Sequence, residues 1–476
     1  MDASSDVSVR FVESLARLET EFASEIGLLC ELESCDFSQR SFQLRKVMAD
    51  VSMAQSPGRS MRTAYSVNTE APGEKMIEGT VNPLLQRNQG RSLADGRTFA
   101  IESVFDLQWG SHISAQVSPR VWIDHPRSGK ISTEATMMLG YVRGVFGGFG
   151  LEVGRNQITR GRARGAGPLL STNPRGLDMA RLVREDPWHL PWIFRFLGPV
   201  TGAAWVADMG LDRHFPHSKL VGFELGARPT RHVELGLTLA NHQGGEGAPG
   251  ASWIERLGDI FLVKPAGVPI SDKVLAADLV LSVPNSGLEF FTGALSTDPN
   301  YTLNARVRET WWDEAIWIMG LQWVGLGPEG RVDLWVEGRR SGVRPHTHHQ
   351  YKDGLTIGNR VLGDPLGPLA NSWQVGIDWQ GRNNTVQLEL SREIYSGDDW
   401  VNDDWQNEFG RFRWSRSSDN PDETRLRIMA DWAYDKSADD FRTYVRFGWE
   451  KVTYFNFTDV SRRNYLAQVQ FAWMPD

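Results

Sequence analysis

From about residue 98 to its end this chain alternates. Residues 373–380 place Trp373, Val375, Ile377 and Trp379 between Gln374, Gly376, Asp378 and Gln380. In an extended strand successive side chains take opposite faces, so one face here is apolar and aromatic and the other polar. The same grammar sets Phe99, Ile101, Ser103, Phe105, Leu107 and Trp109 against Glu102, Asp106 and Gln108. It sets Val332, Leu334 and Val336 against Asp333, Trp335 and Glu337, and Val386, Leu388 and Leu390 against Gln387, Glu389 and Ser391. The last segment opposes Tyr465, Ala467, Val469, Phe471 and Trp473 to Gln468 and Gln470. One half-buried strand of a soluble protein can read this way. Many in succession predict a closed barrel in a bilayer, its apolar face on lipid and its polar face on a wet interior.

The connections agree. Tight turns are expected at Gly110-Ser111, Gly147-Gly148, Pro199-Val200, Arg228–Arg231, Pro284–Gly287, Pro328–Gly330, Gly381–Asn384 and Ser437–Asp439. Longer loops are expected over 159–189, 241–271, 297–313, 341–370 and 396–423. Short turns on one rim and long loops on the other are the habit of outer-membrane barrels, with the long loops extracellular. About 18 strands fit the pattern, and Trp109, Trp373, Trp379, Trp432 and Trp473 near strand ends suit interfacial girdles. A soluble propeller would show a repeat of about 40 residues, and none is present.

Composition narrows the alternatives. Mean hydropathy is −0.36 over 476 residues, and no stretch approaches the roughly 20 apolar residues of a spanning helix. A net charge of −8 gives no reason to expect nucleic acid. The cysteines are Cys30 and Cys35 alone, which leaves one bridge or two thiols open. The first ten residues have neither the basic start nor the apolar core of a secretory signal. Phe11, Leu15, Leu18, Phe22, Ile26 and Leu29 recur every three or four residues, so an amphipathic helix is expected there. The first strand falls at Phe42–Ala54 or at Met61–Val67.

Two groups of residues could carry function. On the inner face Asp378, Glu389, Arg425, Arg427, Arg442 and Arg446 stand on neighbouring strands. They could line a charge-selective pore or form ion pairs that brace a plugged barrel; the mixed signs favour bracing. On the loops, His346, His348, Tyr351 and Asp353 form the sharpest polar cluster. Without a second histidine pair at ligand spacing, a structural lock or a glycan contact is expected there rather than a metal site. Trp400 and Trp405 stand among Asp398, Asp399, Asn402, Asp403 and Asp404, and Trp311 and Trp312 add further rings, with Trp253 and Tyr301 beside them in kind. Rings that stack on pyranose faces, with planar polar groups for the hydroxyls, suit sugar binding. No nucleophile elbow, phosphate loop or zinc-protease motif occurs, so no catalytic residue and no cofactor is expected.

A run of motifs resembles one family. Phe215-Pro216-His217-Ser218-Lys219 is followed by Val233–Leu237, Gly244-Gly245-Glu246-Gly247, then Thr347-His348-His349-Gln350-Tyr351-Lys352-Asp353-Gly354 and Leu362-Gly363-Asp364. Their order and spacing resemble the Wzi family of capsule-assembly proteins over roughly residues 100–476. The resemblance implies an 18-stranded barrel of the bacterial outer membrane with a small helical bundle on the periplasmic side. It also implies a lectin-like, non-enzymatic role in holding capsular polysaccharide. The helix at Phe11–Leu29 looks like the end of that bundle, which places the true N-terminus upstream of Met1. One departure stands out: where the family tends to carry Trp-Gly-Pro-Gly, this chain has Arg160-Gly161-Arg162-Ala163-Arg164-Gly165.

The expectation is therefore an all-β transmembrane antiparallel barrel over 41–476, with a short helical periplasmic segment over 1–40. Its partners would be capsular or other surface polysaccharide and outer-membrane lipid, and it would act as a monomer. The alternative is an outer-membrane channel for small or anionic solutes.

Overall fold

In a computed structural model, residues 41–56, 65–67, 84, 86–91, 93–110, 112–164, 167–260, 270–297, 314–348, 350–402, 414–416, 419–435 and 441–475 are described. The amphipathic helix expected at Phe11–Leu29, together with Cys30 and Cys35, lies outside them.

The long strands are β1 (Ser41–Gln55), β2 (Gly96–Trp109), β3 (Ile113–Pro126), β4 (Ser132–Phe146), β5 (Phe149–Asn156), β6 (Leu177–Arg184), β7 (Pro199–Asp208), β8 (Lys219–Thr230) and β9 (Val233–Gln243). They continue as β10 (Ser271–Val283), β11 (Leu288–Thr297), β12 (Ile316–Leu326), β13 (Val332–Ser341), β14 (Ala370–Gln380), β15 (Asn384–Tyr395), β16 (Glu423–Asp435), β17 (Phe441–Thr453) and β18 (Arg462–Trp473). Each pairs antiparallel with its neighbours in sequence, and the ring of 18 is closed because β1 pairs with both β2 and β18. Val47 stands opposite Ser103 on one side and Trp473 on the other. Closure satisfies every strand's backbone groups without water and leaves no open edge, the condition for crossing hydrocarbon with strands.

The outer wall is the predicted apolar row. Trp373, Val375, Ile377 and Trp379 are exposed while Gln374 and Asp378 are buried. Phe99, Ile101, Leu107 and Trp109 likewise face out, with Glu102 and Asp106 inside. On one rim the connections are tight: Gly147 and Gly148 both take positive φ, 56° and 75°, as a two-residue hairpin turn requires. This rim is periplasmic and the long-loop rim extracellular.

Three expectations change. Pro199-Val200 is not a turn but the start of β7; residues 185–198 connect β6 to it and contain the 3₁₀ helix Trp192–Leu197. The span 159–189 is not one loop, because it includes β6. The choice of first strand falls on the segment containing Phe42–Ala54, whereas Tyr65–Val67 makes only a three-residue pairing with Trp400–Asn402. The turn expected at Ser437–Asp439 lies outside the described residues.

The interior also differs from a uniformly wet lumen. Over β6–β12 the inner face carries a large apolar patch: Met179, Trp205, Leu220, Val274, Phe291, Leu295, Ile316 and Ile318 are buried in one cluster with Ile158, Leu169, Leu170, Leu355 and Leu362 from the loops. Strands covered on both faces read as near-continuous apolar runs, as Val274–Val283 does.

Candidate functional site: the loop-filled lumen and its outer face

Three loops meet inside the barrel. Ser171 Oγ lies 2.7 Å from the carbonyl oxygen of Gly363 and 3.0 Å from that of Leu362. Asn173 Nδ2 donates to Val361 O at 2.9 Å. Arg360 reaches the stretch after β1, donating to Arg91 O at 2.7 Å and Asn88 Oδ1 at 2.9 Å, while Arg87 donates to Arg164 O at 2.9 Å. Segments 84–91, 157–176 and 342–369 thus hydrogen-bond to one another as a plug.

The Arg160–Arg164 stretch ties that plug to the wall. Its three arginines pair with acids on different strands: Arg160 with Asp278 on β10 at 3.9 Å, Arg162 with Glu234 on β9 at 3.0 Å, and Arg164 with Asp378 on β14. The Arg164 guanidinium also lies 4.7 Å from the centre of the Trp335 ring, and its backbone N–H donates to Glu337. Arg87 pairs with Glu389 at 3.4 Å. Asp378 and Glu389, read from sequence as lumen charges, are therefore the wall's anchors for the plug. An alternating arginine stretch opposite acids spaced around the wall was the signal, but the partners of that stretch lie 72 to 214 residues away in sequence.

The arginines of the far wall are paired as well. Arg425 meets Glu423 and Glu450, each at 2.7 Å; Arg427 meets Glu393 at 2.9 Å and Glu450 at 3.3 Å. Asn464 donates to Glu450 and the Tyr395 hydroxyl to Glu393. Arg446 forks onto both oxygens of Asp431 at 2.8 Å, and Arg442 pairs with Asp435 at 3.0 Å. Sequence reading missed the continuation of this lattice on β1–β3, where buried Arg120 joins Asp50 and Glu102 at 2.7 and 3.3 Å.

The histidine-rich loop packs inward. His346, His348 and Tyr351 are all buried. The Tyr351 hydroxyl donates to Ile270 O at 3.1 Å, its ring lies 4.3 Å from that of His242, and Phe215 meets it edge-on at 5.2 Å. Burial pushes the phenol up to about 12. His242 Nε2 in turn lies 2.8 Å from Ser218 Oγ. His348 Nδ1 accepts the backbone N–H groups of Gln350 and Tyr351. Among the described residues neither ring nitrogen of His346 has a hydrogen-bond partner, and burial holds its pKa down at about 3. Asp353 stands at the edge of this core, where its carboxylate accepts the backbone N–H of His214; Arg213 donates to Gly354 O at 2.6 Å. The motif residues at 213–218 and 346–356 therefore clip two loops together. As placed, His346, His348 and Tyr351 hold that junction.

The outer edge of the loops carries the exposed rings. Helix α1 (Trp253–Ile260) begins with a reciprocal cap, in which Ser252 N donates to the Glu255 carboxylate at 2.7 Å and Glu255 N to Ser252 Oγ at 3.3 Å. Its far end is anchored through buried Asp259, which meets Lys273 at 2.5 Å and accepts from Asn241 at 3.0 Å. This leaves Trp253 72% exposed. Trp400 is half-buried, in a small sheet whose strands pair Trp400–Asn402 with Tyr65–Val67 and with Trp414–Arg416. Trp405, Trp311, Trp312 and Tyr301 lie outside the described residues. Among the described residues no group of three His, Cys, Asp or Glu side chains is placed to hold a metal.

A closed barrel, apolar outside and filled inside by its own extracellular loops, is an outer-membrane β-barrel of the plugged kind. The chain belongs to the family described as capsule assembly protein Wzi, whose sequence model matches residues 72–465. Among solved structures it is similar to Wzi of Escherichia coli, with 14% identity and a TM-score of 0.64 over 97% of this chain and 88% of that one. That protein is described as an outer-membrane protein involved in group 1 capsule assembly and as a carbohydrate-binding β-barrel. OccAB1 of Acinetobacter baumannii is similar at 9% identity and a TM-score of 0.50, over 92% of this chain and 98% of that one. Likeness at these identities speaks to the fold. No curated protein matches the chain.

Proposed function

We propose that this protein is a non-enzymatic outer-membrane barrel that binds capsular or other surface polysaccharide on its extracellular loop face and helps attach or assemble it there. The observation that carries the reading is the plug. Loops that would border an open channel are instead bonded to one another and to the wall, which leaves a firm outer surface with an exposed ring at Trp253. Family membership and the description of the Escherichia coli relative support polysaccharide as the ligand. Trp253 and Trp400 would stack on sugar faces, with Asp353 and, beyond the described residues, Trp405, Trp311 and Trp312 contributing around them. His346, His348 and Tyr351 would act beneath, by holding the loops in place.

The test is binding of purified capsular polysaccharide to wild type and to Trp253→Ala/Trp400→Ala. A loss of roughly tenfold is expected from removing stacked rings, with the heat-modifiable migration of the folded barrel on gels retained. Unchanged affinity in the folded double variant would remove both tryptophans from the site. A channel reading draws on a cavity of about 200 Å³ between Arg87 and Arg164 of the plug and Asp378, Asp431 and Arg446 of the wall. A steady anion-selective current in planar bilayers would favour it; the plugged reading expects almost none.

A further inference from the structure

The two shortest long strands are neighbours: β5 and β6 have 8 residues each, with the 10-residue β7 beside them, against the 13 of β16 and β17. A strand needs about 9–11 residues to cross a bilayer, so the hydrophobic wall is lowest here, and lipid must thin or be held to meet it. The wall is also hollowed at this place. On β7 the outward positions below Val206 are Ala204 and Gly202; a Cβ built on Gly202 would meet Leu225 and Trp188 only at ordinary contact distance, 3.6 Å. Phe149 and Leu182 rise on one side and Phe223 and Leu225 on the other. The groove between them measures about 430 Å³, within the roughly 300–1,000 Å³ of small-ligand sites.

The periplasmic end of the groove has a distinct chemistry. Arg184 lies with its guanidinium 4.7 Å from the ring centre of Phe149 and 5.9 Å from that of Trp188, and its charge is engaged by Asp186 at 3.6 Å. Just beyond, the 3₁₀ helix Trp192–Leu197 has no buried residue: Trp192 is 89% exposed and Phe196 68%. Arg195, between them in sequence, is exposed and without a side-chain partner among the described residues. In water such a helix would be a liability. At a membrane interface, tryptophan and phenylalanine settle at headgroup level and arginine extends toward phosphate.

We propose that this groove is a phospholipid site: one acyl chain of a periplasmic-leaflet glycerophospholipid lies along Gly202 and Ala204, and Arg195 meets its phosphate. Position selects the occupant. The groove opens on the wall that faces hydrocarbon, and its cationic end lies on the short-turn rim, next to the leaflet built of glycerophospholipid. Nearby exposed Arg231, in the β8–β9 turn, adds to the positive charge, so an anionic headgroup such as phosphatidylglycerol would be held more tightly than a zwitterionic one.

Native mass spectrometry of the barrel, after exchange into a detergent without phosphate, tests the site. Wild type should retain one phospholipid. Gly202→Leu/Ala204→Leu fills the groove and should lower occupancy at least about tenfold, whereas Ala467→Leu, at an outward position on β18, should leave it unchanged. Arg195→Glu alters an exposed side chain and should lower retention of added phosphatidylglycerol without changing heat-modifiable migration, so it carries the test even if the filled variant fails to fold. Equal occupancy in wild type and the filled variant, no phospholipid on wild type, or lipopolysaccharide in its place would overturn the proposal, as would undiminished phosphatidylglycerol retention by Arg195→Glu.

Discussion

The two sides of this lumen are built on opposite principles. From β6 to β12 the wall meets the plug as a protein core does, with Trp205, Phe291 and Ile316 packed on Leu169, Leu170 and Leu362. From β15 round to β3 the wall is cross-braced by buried ions, with Glu450 shared between Arg425 and Arg427, and Arg120 between Asp50 and Glu102. The apolar side gains from removing surface from water, in proportion to area and without direction. The ionic side gains little net, because desolvating each charge offsets most of the attraction, but it fixes geometry and penalises any missing partner. The apolar side therefore packs the plug, while the ionic side fixes the shape of the ring and ties the plug to it at single points, through Arg87 to Glu389 and Arg91 to Glu102.

Glu450→Ala should be the most damaging change, since it leaves two buried guanidiniums short of a carboxylate. A loss of about 3–5 kcal/mol is expected in urea unfolding of the micelle-folded barrel, and a loss below about 1 kcal/mol would show that the lattice is not under tension. Leu170→Ala on the apolar side should cost about 2–4 kcal/mol by transfer and cavity terms, and should also loosen the plug, read as faster amide exchange over 157–176. The third expectation depends on pH. His346 has a folded pKa of about 3 against 6.5 in the unfolded chain, so below pH 6.5 the unfolded state binds a proton that the folded state refuses. Its contribution is intact above that value and falls with pH toward 3, by about 1.4 kcal/mol per unit. His346→Asn, which tolerates the residue's φ of 63°, should flatten that slope; an unchanged slope would assign it to other groups. Smallest is Arg164→Ala. The side chain is 29% exposed, so solvent screening limits the pair with Asp378 to about 1 kcal/mol, and the variant should show brief current flickers rather than unfolding.

The exterior was legible because lipid enforces the alternation strand by strand: each outward Trp, Val or Ile of 373–379 answers to the same solvent. The interior was legible only in part. Arg425, Arg427 and Arg446 could be read as paired because their partners stand on adjacent strands. The apolar half could not be placed, because a strand packed on both faces, such as Val274–Val283, loses the contrast that marks its inner side. The loop cluster was found by its spacing, but spacing does not report depth, and depth places His346 and Tyr351 in the junction between loops. Trp253 was visible as a ring; its exposure follows from Asp259 tying the helix down beside β9, a contact between residues that no local pattern joins.

Closure of the ring also sets an order in time. Gln470 on β18 reaches Met48 on β1 across 422 residues of chain, so this seam has the largest loop-closure cost and is the last to become favourable. The segment carrying Arg87 and Arg91 leaves from β1, at the seam itself, and its contacts with Arg164 and Arg360 cross the interior. Once the seam has zipped, loops still outside can enter only through the extracellular mouth, whereas in the open sheet they meet the wall strands directly. The expected order is therefore plug first, with the ring shutting around it. In a refolding time course, a cysteine pair introduced at Val51 and Val469 should cross-link only after the amides of Ser171 and Asn173 are protected; early cross-linking would reverse that order.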